Sequence, residues 1–254
     1  MTQHKKPSLF ILIAVFSLFP VFFAGNSFTV FAQNTPQADK TTKLFCEGCD
    51  LIRQKKYAEA AKVFEKVIET DPTRRGAHTN LSWMYLELGR YEDAAATAQK
   101  EIDIYPESSM AHNNLGFALT QSGKFEESIL DFQKAIALDV HNTKAHINLS
   151  YAFINLKRYD EAVSTLEFLT ESNPNYAQGF ASLANAAMLA GQKEKALRAS
   201  QNYVNLSPDS VPALMSLANS YLSIGNREAA LEQYKIIKGL DPAAAEILLA
   251  KINK

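Results

Sequence analysis

From residue 41 onward, apolar positions recur at helical spacing in blocks that short polar breaks interrupt. In 109–142, Ala111, Leu115, Ala118 and Leu119 mark one face of a helix, "SGK" at 122–124 breaks it, and Phe125, Ile129, Phe132, Ala135 and Ile136 mark a second face. The same sequence of events then repeats. Prolines at 72, 106, 174, 208 and 242 fall on a 34-residue lattice, with Val140 at the point that lacks one. Small residues keep the lattice at Ala60, Ala94, Ser128, Ala162, Ala196 and Ala230, and turn glycines keep it at 89, 123, 191 and 225, with Lys55 and Lys157 in the other two places. Leu81, Leu115, Leu149, Leu183 and Leu217 complete it.

The spacing predicts two helices per period. A proline ends each period because the residue before it is driven out of the helical region. Six units fit without a gap, at 41–74, 75–108, 109–142, 143–176, 177–210 and 211–244. The small residues suit places where two helix backbones approach closely. One helical hairpin of this length cannot bury its apolar stripe alone, so the units must stack. The expected fold is all-α, a solenoid of helix–turn–helix units with a C-terminal capping helix over 245–254, in which Ile247, Leu248 and Ile252 cover the open end.

The stretch "NLGFALTQSGKFEESILDFQKAI" at 114–136 carries the signature of one such unit and resembles the tetratricopeptide repeat (TPR) family. The resemblance runs over 41–244. Its departures are local: Glu47 stands in the leucine column, Ala98 and Ser200 replace large apolar residues of second helices, and Glu101 sits where a small or aliphatic residue is expected. The resemblance implies that the first helix of each unit lines a concave groove.

Residues 1–32 read differently. A short basic lead, "MTQHKKP", precedes the apolar run "SLFILIAVFSLFPVFFAG" at 8–25, and Val30 and Ala32 suit cleavage before Gln33. The expectation is a signal peptide and an extracytoplasmic protein, periplasmic or secreted. The competing expectation is an uncleaved anchor, since 18 apolar residues approach spanning length. Contact with a membrane would then pass through this segment only. Residues 33–40, "QNTPQADK", read as a linker. Processing removes Lys5 and Lys6 and no acid, which leaves 24 basic residues against 27 acidic ones. That balance offers no basic face for nucleic acid.

No paired-histidine metalloprotease motif, phosphate-cradling glycine loop or glycine-flanked nucleophilic serine occurs, so neither catalysis nor a cofactor is expected. Cys46 and Cys49 in "FCEGCD" lack the following histidine of a haem attachment and the further ligands of a zinc site. In an exported chain they form a disulfide-capable couple that would close only a small loop. His78, His112 and His146 are one period apart. Packed helices stand about 10 Å apart, whereas zinc holds nitrogen at about 2 Å, so these histidines cannot share a metal and are expected to pack.

The TPR resemblance places Asn80 with Trp83, Asn114 with Phe117, and Asn148 with Tyr151 in the groove, each pair three apart on one helix face. Asn185 and Asn219, with Ser182 and Ser216, continue the ladder. An amide can both donate to and accept from the main chain of an extended peptide, and a row of aromatics suits its side chains. The carboxylate clamp of some TPR domains is not matched beyond Asn80. The expected function is an exported scaffold that binds an extended segment of a partner protein. The alternatives are an assembly factor of an envelope or secretion complex that acts through its outer surface or ends, and an accessory subunit of a separate enzyme.

Overall fold

The computed structural model describes residues 36–253. The expected signal peptide at 1–32, the cleavage before Gln33 and the first part of the expected linker lie outside the described residues. Thirteen α-helices and no strand make up the described chain. They pair as α1 (Pro36–Arg53) with α2 (Tyr57–Thr70), α3 (Ala77–Glu87) with α4 (Tyr91–Ile104), α5 (Ser109–Gln121) with α6 (Phe125–Leu138), and α7 (Thr143–Asn155) with α8 (Tyr159–Ser172). α9 (Ala177–Leu189) pairs with α10 (Lys193–Leu206) and α11 (Val211–Ser223) with α12 (Arg227–Leu240), and α13 (Pro242–Ile252) closes the chain.

The lattice residues explain these boundaries. All six small residues from Ala60 to Ala230 are fully buried, where the second helix of each pair meets the first. Lys55, Gly89, Gly123, Lys157, Gly191 and Gly225 all have positive φ, between 59° and 81°, in the turn between paired helices. A Cβ would meet nothing within 4 Å at any of the four glycines, so only the left-handed backbone favours glycine there. The residue ahead of each lattice point leaves the helical region, as at Asp71 (φ −145°, ψ 92°), which frees the chain for the next turn. Asp139 takes the same conformation before Val140.

Each helix packs on the next, and the odd-numbered helices from α3 onward also pack side by side: α3 on α5, α5 on α7, α7 on α9, α9 on α11 and α11 on α13. Among the described residues no comparable packing joins the even-numbered helices. The odd helices are therefore the inner row of a curved stack and the even helices the outer row.

The departures from the repeat pattern have local solutions. Glu47 is exposed on α1, the first helix of the described stack. Ser200 is buried and exchanges hydrogen bonds at 2.9 Å with Ser216 and Ser220. Glu101, 1% exposed, accepts the Gly76 N–H through Oε1 at 3.0 Å at the start of α3.

Two expectations need correction. Residues 36–40, read as linker, belong to α1; proline is tolerated at a first helical position, where its missing N–H has no partner to lose. The terminal helix begins at Pro242 rather than at 245, with Asp241 accepting from the N–H groups of Ala243 and Ala244. That start sets the buried stripe at Ala245, Leu248 and Ile252, spaced by three and four residues, and turns Ile247 outward at 59% exposure.

Candidate functional site

A recess of about 460 Å3 opens across α3, α5 and α7 on the inner row. Asn80, Trp83, Asn114, Phe117 and Asn148 line it together. Lattice columns next to the ladder add to it: Thr79 with Asn113 and Ile147, and Met110 with Lys144. Tyr91 from α4 and Tyr176 ahead of α9 complete an aromatic wall. None of these was placed in the groove from the sequence, although the Thr79 and Met110 columns keep the 34-residue spacing.

Three residues expected in the same site are elsewhere. Tyr151 is exposed on α7 but does not line the recess, and Asn185 is exposed on α9 outside it. Asn219 on α11 accepts a hydrogen bond from Lys251 Nζ at 3.0 Å, so the capping helix engages that rung itself.

Each ladder amide already makes one hydrogen bond within the protein. Asn80 Nδ2 donates to Gly76 O at 2.8 Å, and Asn114 Nδ2 donates to Thr79 O at 3.1 Å, across from α5 to α3. Both partners are carbonyls and can only accept, which fixes the amide nitrogen at that end and leaves Oδ1 at the other. Asn148 Nδ2 donates to Asn113 Oδ1 at 3.0 Å, from α7 to α5. Asn114 and Asn148 thus tie neighbouring inner helices together while Asn80 bonds within its own helix, and each amide keeps one N–H and its Oδ1 unengaged.

Trp83 is anchored at its edge by Nε1 donating to Glu87 Oε1 at 2.9 Å, and Lys144 lies 5.3 Å from its ring centroid. Lys144 makes no ion pair among the described residues. Thr79 Oγ1, buried in the recess floor, has no hydrogen-bond partner.

The histidine row packs behind this face, as expected. His78, His112 and His146 are all buried. His112 meets Asp131 Oδ1 at 3.0 Å and Pro106 O at 3.2 Å, while His146 meets Val140 O at 3.0 Å and stacks on Phe168 at 5.4 Å. Burial pushes the His78 and His146 pKa values below the ordinary histidine value. Burial likewise raises the Asp131 carboxyl above the usual range, against the opposing pull of His112.

Cys46 and Cys49 are free thiols, and burial with the neighbouring Cys46 raises the Cys49 pKa. Among the described residues no cluster of three or more metal-ligating side chains occurs, and no helix is long and apolar enough to cross a membrane.

Helix pairs on a 34-residue period, stacked into a curved row with an inner recess, define a helical-repeat solenoid. Tetratricopeptide repeat profiles match residues 47–109 and 119–186, and the chain belongs to that family. No curated protein matches the sequence. Among solved structures it is similar to PilW, a widely conserved type IV pilus biogenesis factor, with a TM-score of 0.73 and 22% identity over 82% of this chain and 98% of that one. It is also similar to pilF of Pseudomonas aeruginosa, with a TM-score of 0.71 and 16% identity over 85% and 100% of the two chains. A third is YrrB, described as a TPR protein with an unusual peptide-binding site, with a TM-score of 0.60 and 21% identity over 75% and 98%. At these identities the likeness is one of fold.

Proposed function

We propose that this protein is a non-catalytic TPR scaffold that holds an extended segment of a partner protein in the recess over α3, α5 and α7. The observation that carries this is the convergence of Trp83 and Phe117 with three ladder asparagines in one open recess on the inner row. Half-buried aromatics edged by amides are the composition of a binding surface rather than of a core. We propose also that residues 1–32 direct export and that the mature chain starts at Gln33; N-terminal sequencing of protein from the producing cell tests this, and a retained Met1 would refute it.

The groove is tested by partner capture with single-face variants. Trp83→Ala and Phe117→Ala should abolish capture, while Leu130→Lys on the outer helix α6, where Leu130 is 69% exposed, should not. The reverse result would favour an assembly factor acting through its outer surface, the reading to which the fold of PilW and the exposed Leu130 and Phe168 lend support.

A further inference from the structure

Three features of the recess restrict what can lie in it. The first is polarity. Asn80, Asn114 and Asn148 each engage one of the two N–H groups of Nδ2 within the protein, and no Oδ1 of the three accepts a hydrogen bond among the described residues. The ladder therefore presents a row of open acceptors that an occupant's N–H groups can meet, beside the second N–H of each amide.

The second is interval. α3, α5 and α7 pack side by side, and packed helices stand about 8–10 Å apart, so equivalent acceptors recur at about that distance. A β-strand covers the interval in about three residues, but its groups alternate in direction with period two, so the third residue faces away. A polyproline II helix has three residues per turn and rises about 3.1 Å per residue, so every third residue returns to the same side after about 9.3 Å. Its N–H groups make no internal hydrogen bonds and are free to donate outward.

The third is the wall. Trp83, Tyr91 and Phe117 offer apolar ring surface, and the Trp83 ring already receives the Lys144 ammonium. Thr79 Oγ1, only 4% exposed and without a partner, adds an unmet polar atom to the floor. Rings of this kind suit the flat, preformed faces of a proline-rich segment, whose rigidity reduces the ordering cost of binding.

We propose that the recess selects a proline-rich segment in the polyproline II conformation, with a non-proline residue at every third position whose N–H is donated in turn to Asn80, Asn114 and Asn148. Proline is excluded from those positions because it has no N–H. The prolines between them lie against Trp83 and Phe117. This inference rests on the groove reading and names the chemistry of its occupant.

Trp83 is the only tryptophan of the chain, so its fluorescence reports on the recess alone. The full chain is titrated with three soluble peptides of equal length: repeated Pro-Pro-Gln triplets, the same peptide with each Gln nitrogen methylated, and strand-forming Val-Thr-Gln triplets. The first should change Trp83 emission saturably and bind at least about tenfold more tightly than either of the others. If the Val-Thr-Gln peptide binds as tightly as the first, the polyproline II assignment is overturned while the groove reading stands. If methylation leaves affinity unchanged, the amide acceptors are not used and the inference fails at that point. If none of the peptides changes the emission, the inference is overturned, and the groove reading is decided separately by partner capture.

Discussion

Substituting Asn114 with Asp exchanges the buried Nδ2 for an oxygen of nearly the same size and changes little else. Asn114 is 6% exposed, and its Nδ2 donates to Thr79 O at 3.1 Å across the α5–α3 contact. In the variant that hydrogen bond is lost, removing about 1 kcal/mol, and an acceptor is set against an acceptor in a place that strips water from a carboxylate. Breaking a buried polar pair in this way and leaving a charge uncompensated brings the total to about 3 kcal/mol. For a domain of this size each kcal/mol moves the melting temperature by about 2–4 °C, so a drop of roughly 6–12 °C is expected.

The companion variant Asn80→Asp should change stability by no more than about 0.5 kcal/mol. Asn80 is half-buried, its bond stays within its own helix, and negative charge is tolerated in the first turn of α3. Thermal and urea unfolding give the totals, and hydrogen exchange over 75–121 shows whether the loss is centred on the α3–α5 contact. The pH dependence supplies an independent check. Burial would hold the new carboxyl above its unfolded pKa, so the penalty is present above the folded value and shrinks as the pH falls through it. If Asn114→Asp melts within about 2 °C of the parent protein, less than 1 kcal/mol on this scale, Nδ2 is not held by Thr79 and the assignment of Oδ1 to the recess collapses.

Lys157→Gly should stabilise the protein by about 0.5–1 kcal/mol, because Lys157 holds φ at 60° where four equivalent turns have glycine; a lower urea midpoint would contradict the turn assignment. His146→Phe should flatten the loss of stability on acidification. The folded pKa of His146 lies below the ordinary 6.5, chiefly through burial, so proton uptake favours the unfolded chain and stability falls as the pH drops below that value. Equal acid sensitivity in parent and variant would refute the point. Deleting 242–254 should fray α11 and α12, whose Leu214, Ala218 and Ile237 pack with Leu248 of α13, and leave α1–α8 protected from hydrogen exchange; unchanged protection in 211–240 would refute it.

The helix pairs were legible in the sequence because close backbone contact admits only small residues, and the column from Ala60 to Ala230 records every such contact. Lys55 and Lys157 could be aligned with the turn glycines because the lattice fixes the turn whichever residue occupies it. The start of α1 at Pro36 was not legible, since that segment is polar and lacks an apolar stripe. Ile247 was misplaced because the register of a last helix depends on where it begins, and Asp241 starts it early.

At the site, the lattice gives the direction in which a side chain points but not what it meets. It therefore aligned Asn219 with Trp83 without showing that Lys251 reaches Asn219 from the capping helix. The orientation of each amide depends on which carbonyl stands opposite. Thr79 O and Gly76 O turn the Asn114 and Asn80 nitrogens toward the protein, so each amide has one N–H engaged and its Oδ1 left at the open end.

The central claim is that the inner recess is where the partner lies. A photo-reactive phenylalanine analogue placed at Phe117, and separately at Leu130, tests it in the producing cell. The position at 117 should yield one partner adduct that disappears when Trp83→Ala is added, and the position at 130 should yield none. Adduct formed only from position 130, or an adduct at 117 indifferent to Trp83, would contradict it.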